Sequence, residues 1–294
     1  MYWKVLITVV ALTSTAFGAQ ENVILLHGLC RTSRSMAKLD GALTEAGYRV
    51  LNVDYPSRTA PIKELADNAI GKAVANCEAN GATKIDFVTH SLGGILVRSY
   101  LAQHTIPNLG RVVMLAPPNQ GSEIVDKLGG WPLFKWINGV AGNELGTDSN
   151  SIPNKLGPAN FPVGIIAGDR SINWINSLLI PGPDDGKVSV DRAKLAGMTD
   201  YIVIHTTHPF IMRNDEAIHQ TVEFLRAGKF DHGMGKSMSA TPKAIVIRER
   251  TVGNTMKLQD IAFIFLTCSR RSTDVKLEFN PSNRRFPSRS KRGH

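Results

Sequence analysis

Between residues 22 and 230, short unbroken apolar runs alternate with longer stretches whose apolar residues recur at helical spacing. The runs are "NVILLHG" (22–28), "RVLNVDYP" (49–56), "KIDFVTH" (84–90), "GRVVMLAPP" (110–118), "FPVGIIAGD" (161–169) and "DYIVIHTTH" (200–208). Most are too short for helices and too continuously apolar for half-exposed strands, so they read as strands buried on both faces. Between them lie helical patterns over 33–48, 61–82, 92–104 and 216–230; Ile62, Leu65, Ala69, Ile70, Ala73 and Val74 mark the second. Parallel neighbours must be joined by crossovers, and helices of this length supply them. The pattern therefore predicts an α/β fold: a mostly parallel central sheet with helices on both faces.

Two regions break the rhythm. Residues 121–160 carry Trp131, Phe134, Trp136 and several glycines, as expected of a small cap inserted beside a site or of a surface excursion packing its own aromatics. Beyond Phe230 the chain turns rich in Ser, Arg and Lys. Residues 229–294 hold 14 Lys and Arg against 5 Asp and Glu, leaving 20 of each sign in the first 228 residues. The whole formal charge of +9 thus sits in the tail, and the main domain is neutral. The tail, including the lone apolar run "IAFIFL" (261–266), reads as a disordered basic extension. Weak contact with an anionic membrane surface is open to it; no specific nucleic-acid partner is expected.

The first residues, "MYWKVLITVVALTSTAFGA", have one lysine, an apolar run from Val5 to Leu12 and small residues after it. That is the layout of a secretory leader with cleavage after Gly18, and the run is short for a membrane span. An exported protein, periplasmic or secreted, is the expectation, with residues 1–18 as leader, 19–230 as the main domain and 231–294 as the extension. Three cysteines, Cys30, Cys77 and Cys268, form no framework, though a Cys30–Cys77 bridge is open in an oxidising compartment. No Cys/His spacing suits a metal.

The chemistry-bearing stretch is "DFVTHSLGGILVRSYLAQH" (86–104). A strand ends at a serine, two glycines follow, and a helix begins at once. A serine attacks a carbonyl only if a base takes its proton and donors await the oxyanion. A sharp strand-to-helix turn lifts the hydroxyl off the sheet and aims a helix N-terminus at the reacting oxygen. Strand and helix then come close, so the residues two before and two after the serine should be small: here Thr89 and Gly93, with Gly94 easing the packing. Threonine is the misfit.

"THSLGG" after a strand, with "LLHGL" upstream, resembles the nucleophile elbow of the α/β-hydrolase superfamily. "HGL", "THSLGG", "LAPPNQGSE", "DDGKVSV" and "HPFIM", in that order over residues 20–230, are similar to the bacterial lipase and PGAP1-like lipase-esterase branch, whose members also use Ala or Thr at the position of Thr89. The resemblance implies an α/β-hydrolase fold and cleavage of carboxylic esters through an acyl-enzyme, without cofactor or metal, on an ester or lipid substrate. It makes Ser91 the nucleophile and the backbone N–H groups of Leu29 and Leu92 the oxyanion donors, with His27 bracing its loop. The base is His208, where the strand stops; its rival His205 lies within the apolar run and should pack in or near the sheet. His219 falls on the last helix, and His90 should pack under the elbow. The acid is Asp185 in "PDDGKVSV", with Asp169 at a strand end as the alternative and Asp184 third. Acyl transfer through the same acyl-enzyme and a non-catalytic binding module on this fold remain alternative functions.

Overall fold

The computed structural model describes residues 21–172 and 174–233, so the leader-like start, the basic extension and Cys268 lie outside the described residues. Six strands form one all-parallel sheet in the order β2-β1-β3-β4-β5-β6. They are β1 (Glu21–Leu26), β2 (Arg49–Val53), β3 (Lys84–His90), β4 (Leu109–Leu115), β5 (Val163–Gly168) and β6 (Asp200–Ile204). Each corresponds to one of the apolar runs. The chain winds outward from β1 to β2, crosses back to β3, and then adds strands steadily to β6.

Both faces of the sheet are covered. Side chains alternate along a strand, so Ile24, Leu26, Phe87, Met114 and Ile165 share one core with α2 (Ile62–Ala79) and α3 (Leu92–Leu101). Val23, Leu25, Val88, Val113 and Ile166 face α1 (Ala37–Glu45) and the closing helix on the other side. Val23 through Leu26 are fully buried, each such side chain contributing about 1.5–3 kcal/mol. This is why the runs are continuously apolar rather than alternating.

The predicted helix over 33–48 begins as a 3-10 turn at Ser33–Met36 and becomes α1 only from Ala37. Between β4 and β5 the excursion folds into α4 (Glu123–Leu128), α5 (Pro132–Asn143) and α6 (Ile152–Lys155). Proline at the first position starts α5, and Gly139 breaks it with φ of 65°. A Cβ at Gly139 would lie 2.1 Å from the Arg58 carbonyl oxygen, so the kink and the close approach both demand glycine. Phe134 packs inward with Ile124, Leu128 and Ile180, while Trp131, Leu133 and Trp136 remain exposed. Two short turns, α7 (Trp174–Ser177) and α8 (Val190–Ala193), precede β6, and α9 (Asp215–Ala227) closes the fold. Asn214 caps α9, accepting from the Ala217 N–H, and Gly228 ends it in the left-handed region.

One expectation fails here. β6 stops at Ile204 because the Thr206 N–H turns back to the Ile204 carbonyl at 2.8 Å. His205 therefore leaves the sheet, and its side chain is 73% exposed, not packed against the strands. No disulfide joins Cys30 to Cys77: Cys77 is buried in the α2 core, and the Cys30 Sγ donates to the Ile137 carbonyl. Among the described residues no helix is long and apolar enough to cross a membrane.

The tightest contact in the fold lies under α3. A Cβ on Gly93 would sit 2.7 Å from the Leu26 carbonyl oxygen and 3.0 Å from the Leu26 Cβ, and Leu26 is fully buried. Gly93→Ala is expected to cost about 1–3 kcal/mol in urea denaturation. Gly41→Ala, on α1 with open space around the added Cβ, is expected to stabilise by about 0.5–1 kcal/mol.

Candidate active site

Ser91 occupies the turn between β3 and α3 with φ of 51° and ψ of −117°, a conformation costly for a non-glycine residue. Its N–H is anchored to the Leu115 carbonyl of the neighbouring strand and its carbonyl accepts from Gly94. Sharp reversal at this point sends the Oγ out over the C-terminal edge of the sheet. Thr89, the misfit of the sequence pattern, is fully buried, with its hydroxyl 3.4 Å from the Val113 carbonyl. Gly94 leaves the room it needs, since a Cβ there would come within 3.3 Å of the Thr89 Oγ1. The elbow closes without a small residue at 89 because the small residue stands at 94.

His208 Nε2 lies 3.0 Å from Ser91 Oγ, and His208 Nδ1 lies 2.8 Å from Asp185 Oδ2. Both partners of the imidazole are buried, Asp185 at 1% exposure and Ser91 at 8%. The second carboxylate oxygen, Oδ1, accepts the N–H groups of Lys187 and Val188 at 3.0 and 2.9 Å. Main-chain bonds add to this tie: the His208 N–H donates to the Asp185 carbonyl at 2.9 Å. Gly186, with φ of 97°, makes the turn, and Gly168 lets the loop approach the sheet, because a Cβ there would meet the Asp185 Cβ at 3.0 Å. Asp185 is thus the carboxylate brought to His208. Asp169 pairs instead with the exposed His205 at 2.9 Å. Asp184 accepts from Ser177 Oγ and the Gly186 N–H, and burial pushes its carboxyl up.

The loop after β1 comes in from the other side. A Cβ on Gly28 would lie 3.2 Å from the Ser91 Cβ and 2.6 Å from His90 Nδ1, so only glycine permits this approach. A turn closed by the Arg31 N–H on the Gly28 carbonyl, with Cys30 at φ of 57°, follows at once. The N–H groups of Leu29, in that turn, and of Leu92, at the first position of α3, donate to nothing among the described residues. His27 is fully buried beneath, stacked on Tyr55 with ring centroids 4.1 Å apart. Its Nδ1 bonds the Gly28 carbonyl, its Nε2 accepts the Tyr55 N–H, and the Tyr55 hydroxyl donates to the His27 carbonyl. It braces the loop. Tyr55 lies inside the run 49–56, where nothing in the sequence marks it for this bracing role.

His90 packs under the elbow. Its Nε2 donates to the His208 carbonyl at 3.1 Å, and its Nδ1 is buried without a partner. Burial, then the neighbouring His208, hold its pKa well below the ordinary value; burial likewise lowers His27. His219 is half-buried on α9, away from the cleft. The cleft above Ser91 has a volume of about 90 Å³ and is mainly apolar, with Ile124, Val125, Phe134 and Leu145 from the 121–160 excursion on its wall. Among the described residues no group of three or more His, Cys, Asp or Glu side chains is placed to hold a metal.

A doubly covered parallel sheet with a strained serine at the β3–α3 turn defines an α/β-hydrolase architecture. Residues 23–223 match the model of the Alpha/beta hydrolase family, and the chain belongs to that family, which supports hydrolase activity. Its fold is similar to that of a mature lipase from Bacillus licheniformis, BlEst2 (TM-score 0.59, 19% identity, covering 71% of this chain and 93% of that one). It is also similar to the phospholipase PlaB of Legionella pneumophila (TM-score 0.58, 17% identity, 71% and 60%). A metagenomic carboxyl esterase, MGS0156, gives a TM-score of 0.54 at 19% identity, with 66% of each chain covered. At such identities these likenesses concern the fold alone. A search of curated protein sequences found no significant match.

The buried imidazoles set a pH dependence. His27 and His90 are held neutral in the fold but titrate near the ordinary value of about 6.5 when unfolded. Below that pH the unfolded chain therefore binds more protons than the native one, and stability must fall. Urea midpoints are expected to drop steadily from pH 7 to pH 5, each group steepening the slope by up to about 1.4 kcal/mol per pH unit. His90→Gln should flatten the profile.

Proposed function

We propose that this chain is a serine hydrolase that cleaves carboxylic esters through an acyl-enzyme. The observation that carries the reading is the continuous chain from Ser91 Oγ through both nitrogens of His208 to Asp185. Asp185 fixes the tautomer with the proton on Nδ1, leaving Nε2 to take the Ser91 proton as Oγ attacks the ester carbonyl. The oxyanion forms beside the N–H groups of Leu29 and Leu92, which need no reorganisation to receive it. His208 then protonates the leaving alcohol, and water admitted to the same imidazole releases the acid. His90, bonded to the His208 carbonyl, positions the base from below.

An aliphatic or lipid-like substrate is supported by the apolar wall of the cleft and by the exposed Trp131, Leu133, Trp136 and Leu178. The 121–160 excursion acts on this reading as a cap. The leader-like first 18 residues support export, and the exposed aromatics, with the basic tail, support weak contact with a membrane surface.

Ser91→Ala is expected to abolish turnover of short-chain nitrophenyl esters and labelling by a fluorophosphonate; an active variant would overturn the reading. Asp185→Asn should cost about 10³–10⁴ in kcat, whereas Asp169→Asn should change it less than about threefold. In a second assay, replacing Trp131 and Trp136 by Ser should lower hydrolysis of an emulsified long-chain ester several-fold more than that of a dissolved short-chain one.

A further inference from the structure

The two peptide units that flank Leu29 are both held, one of them by Ser57, a residue 27 positions beyond Cys30. A peptide unit is planar, with its carbonyl and its N–H pointing opposite ways. The Gly28 carbonyl belongs to the same unit as the Leu29 N–H. It is bonded by His27 Nδ1 at 2.9 Å and by the Arg31 N–H at 3.2 Å, which turns the Leu29 N–H away from both. The next unit is held at its other end, where the Cys30 N–H donates to Ser57 Oγ at 3.1 Å. Cys30 has φ of 57°, a left-handed conformation that a non-glycine residue keeps only where its surroundings enforce it. Ser57 is buried and stands on a fixed segment. Its N–H donates to the Tyr55 carbonyl at 2.8 Å, and the next carbonyl, that of Arg58, accepts the Val140 N–H of α5 at 3.0 Å. From the same helix, the Ile137 carbonyl accepts from the Cys30 Sγ at 3.4 Å. A Cβ on Gly142 would lie 2.8 Å from Leu29 Cδ2. Ser57 and α5 thus meet the turn at Leu29 and Cys30, while His27 meets it at Gly28.

Resting on the reading of Ser91 as nucleophile and of the Leu29 N–H as an oxyanion donor, we infer that Ser57 is a positioning residue for the reaction. By accepting the Cys30 N–H, its Oγ holds the turn in which the Leu29 N–H meets the developing oxyanion. Ser57 touches no reacting atom. Without that oxygen, Cys30 relaxes from its left-handed conformation and the Leu29 N–H swings off line. A donor stabilises the oxyanion fully only when it is prearranged. The loss therefore falls on the transition state and spares binding of the ester.

The test is Ser57→Ala, assayed on 4-nitrophenyl butyrate with active sites counted by fluorophosphonate titration. kcat and kcat/KM should fall together by about tenfold or more, approaching the roughly 10²–10³ that loss of a donor costs. Butylboronic acid gives the readout that a merely structural role would not move. Its boron bonds to Ser91 Oγ as His208 takes the proton, and the tetrahedral adduct puts an oxygen where the oxyanion forms. Its Ki should rise by the same factor as kcat/KM falls, while the Ki of butyrate, the product acid, stays within about twofold. Ser57→Thr, which keeps the oxygen, should restore both kcat/KM and boronate affinity to within about threefold of the unmodified protein. Thr59→Ala, which removes the exposed bond from Thr59 Oγ1 to the Pro56 carbonyl on the same segment, should change neither. If Ser57→Ala does not fold, Ser57→Cys, whose sulfur is a weak acceptor, is read in the same way. Unchanged kcat and boronate affinity in the folded variant, or equal losses for boronate and butyrate, overturn the inference and leave the serine hydrolase reading intact. No turnover of the ester by the unmodified protein overturns both.

Discussion

The crossing of β1 beneath the first turn of α3 decides what can be built above it. Because Gly93 presents no side chain, the backbone of Leu26 and the start of α3 come together, and the end of β1 is carried to within contact of the serine turn. From that single approach follow the placement of Gly28 against Ser91, the turn that presents Leu29, and the bracing of the loop by His27 and Tyr55. Cys30, Ser91 and Ala116 adopt left-handed backbone without being glycine, and each follows a central strand of the sheet. Strain of about 1–3 kcal/mol at each persists only where surrounding packing leaves no alternative. The flanking parallel strands, hydrogen-bonded on both sides, supply that constraint.

The imidazole of His208 is held by more than its two side-chain partners. Its own N–H reaches the Asp185 carbonyl, and its carbonyl receives His90. Asp185 in turn is oriented by the N–H groups of the residues that follow it. Asp185 and His208 are therefore set by the backbones of two adjacent loops, and the buried, neutral His90 adds an orienting bond without adding charge next to that imidazole.

The order of elements was legible because every strand is buried on both faces, which leaves unbroken runs such as Val23–Leu26. The family likeness also pointed to Ser91, His208 and Asp185, since each stands at the end or edge of a recognisable run. What stayed hidden depended on where a strand stops. "YIVIHTTH" is apolar up to Ile204, and nothing in it announces that Thr206 folds back and releases His205 to solvent. The tolerance of Thr89 was equally unreadable, because it depends on Gly94 across the turn.

β6 is an outer strand, paired only with β5, and the segment bearing His208 hangs from it, 117 residues along the chain from Ser91. During synthesis, β1 to β5 can pair before this last strand has emerged. At that stage the chain has a nearly complete sheet and an inert hydroxyl. On the proposed reading, the serine gains its base only once this late strand, held on one side alone, is in place.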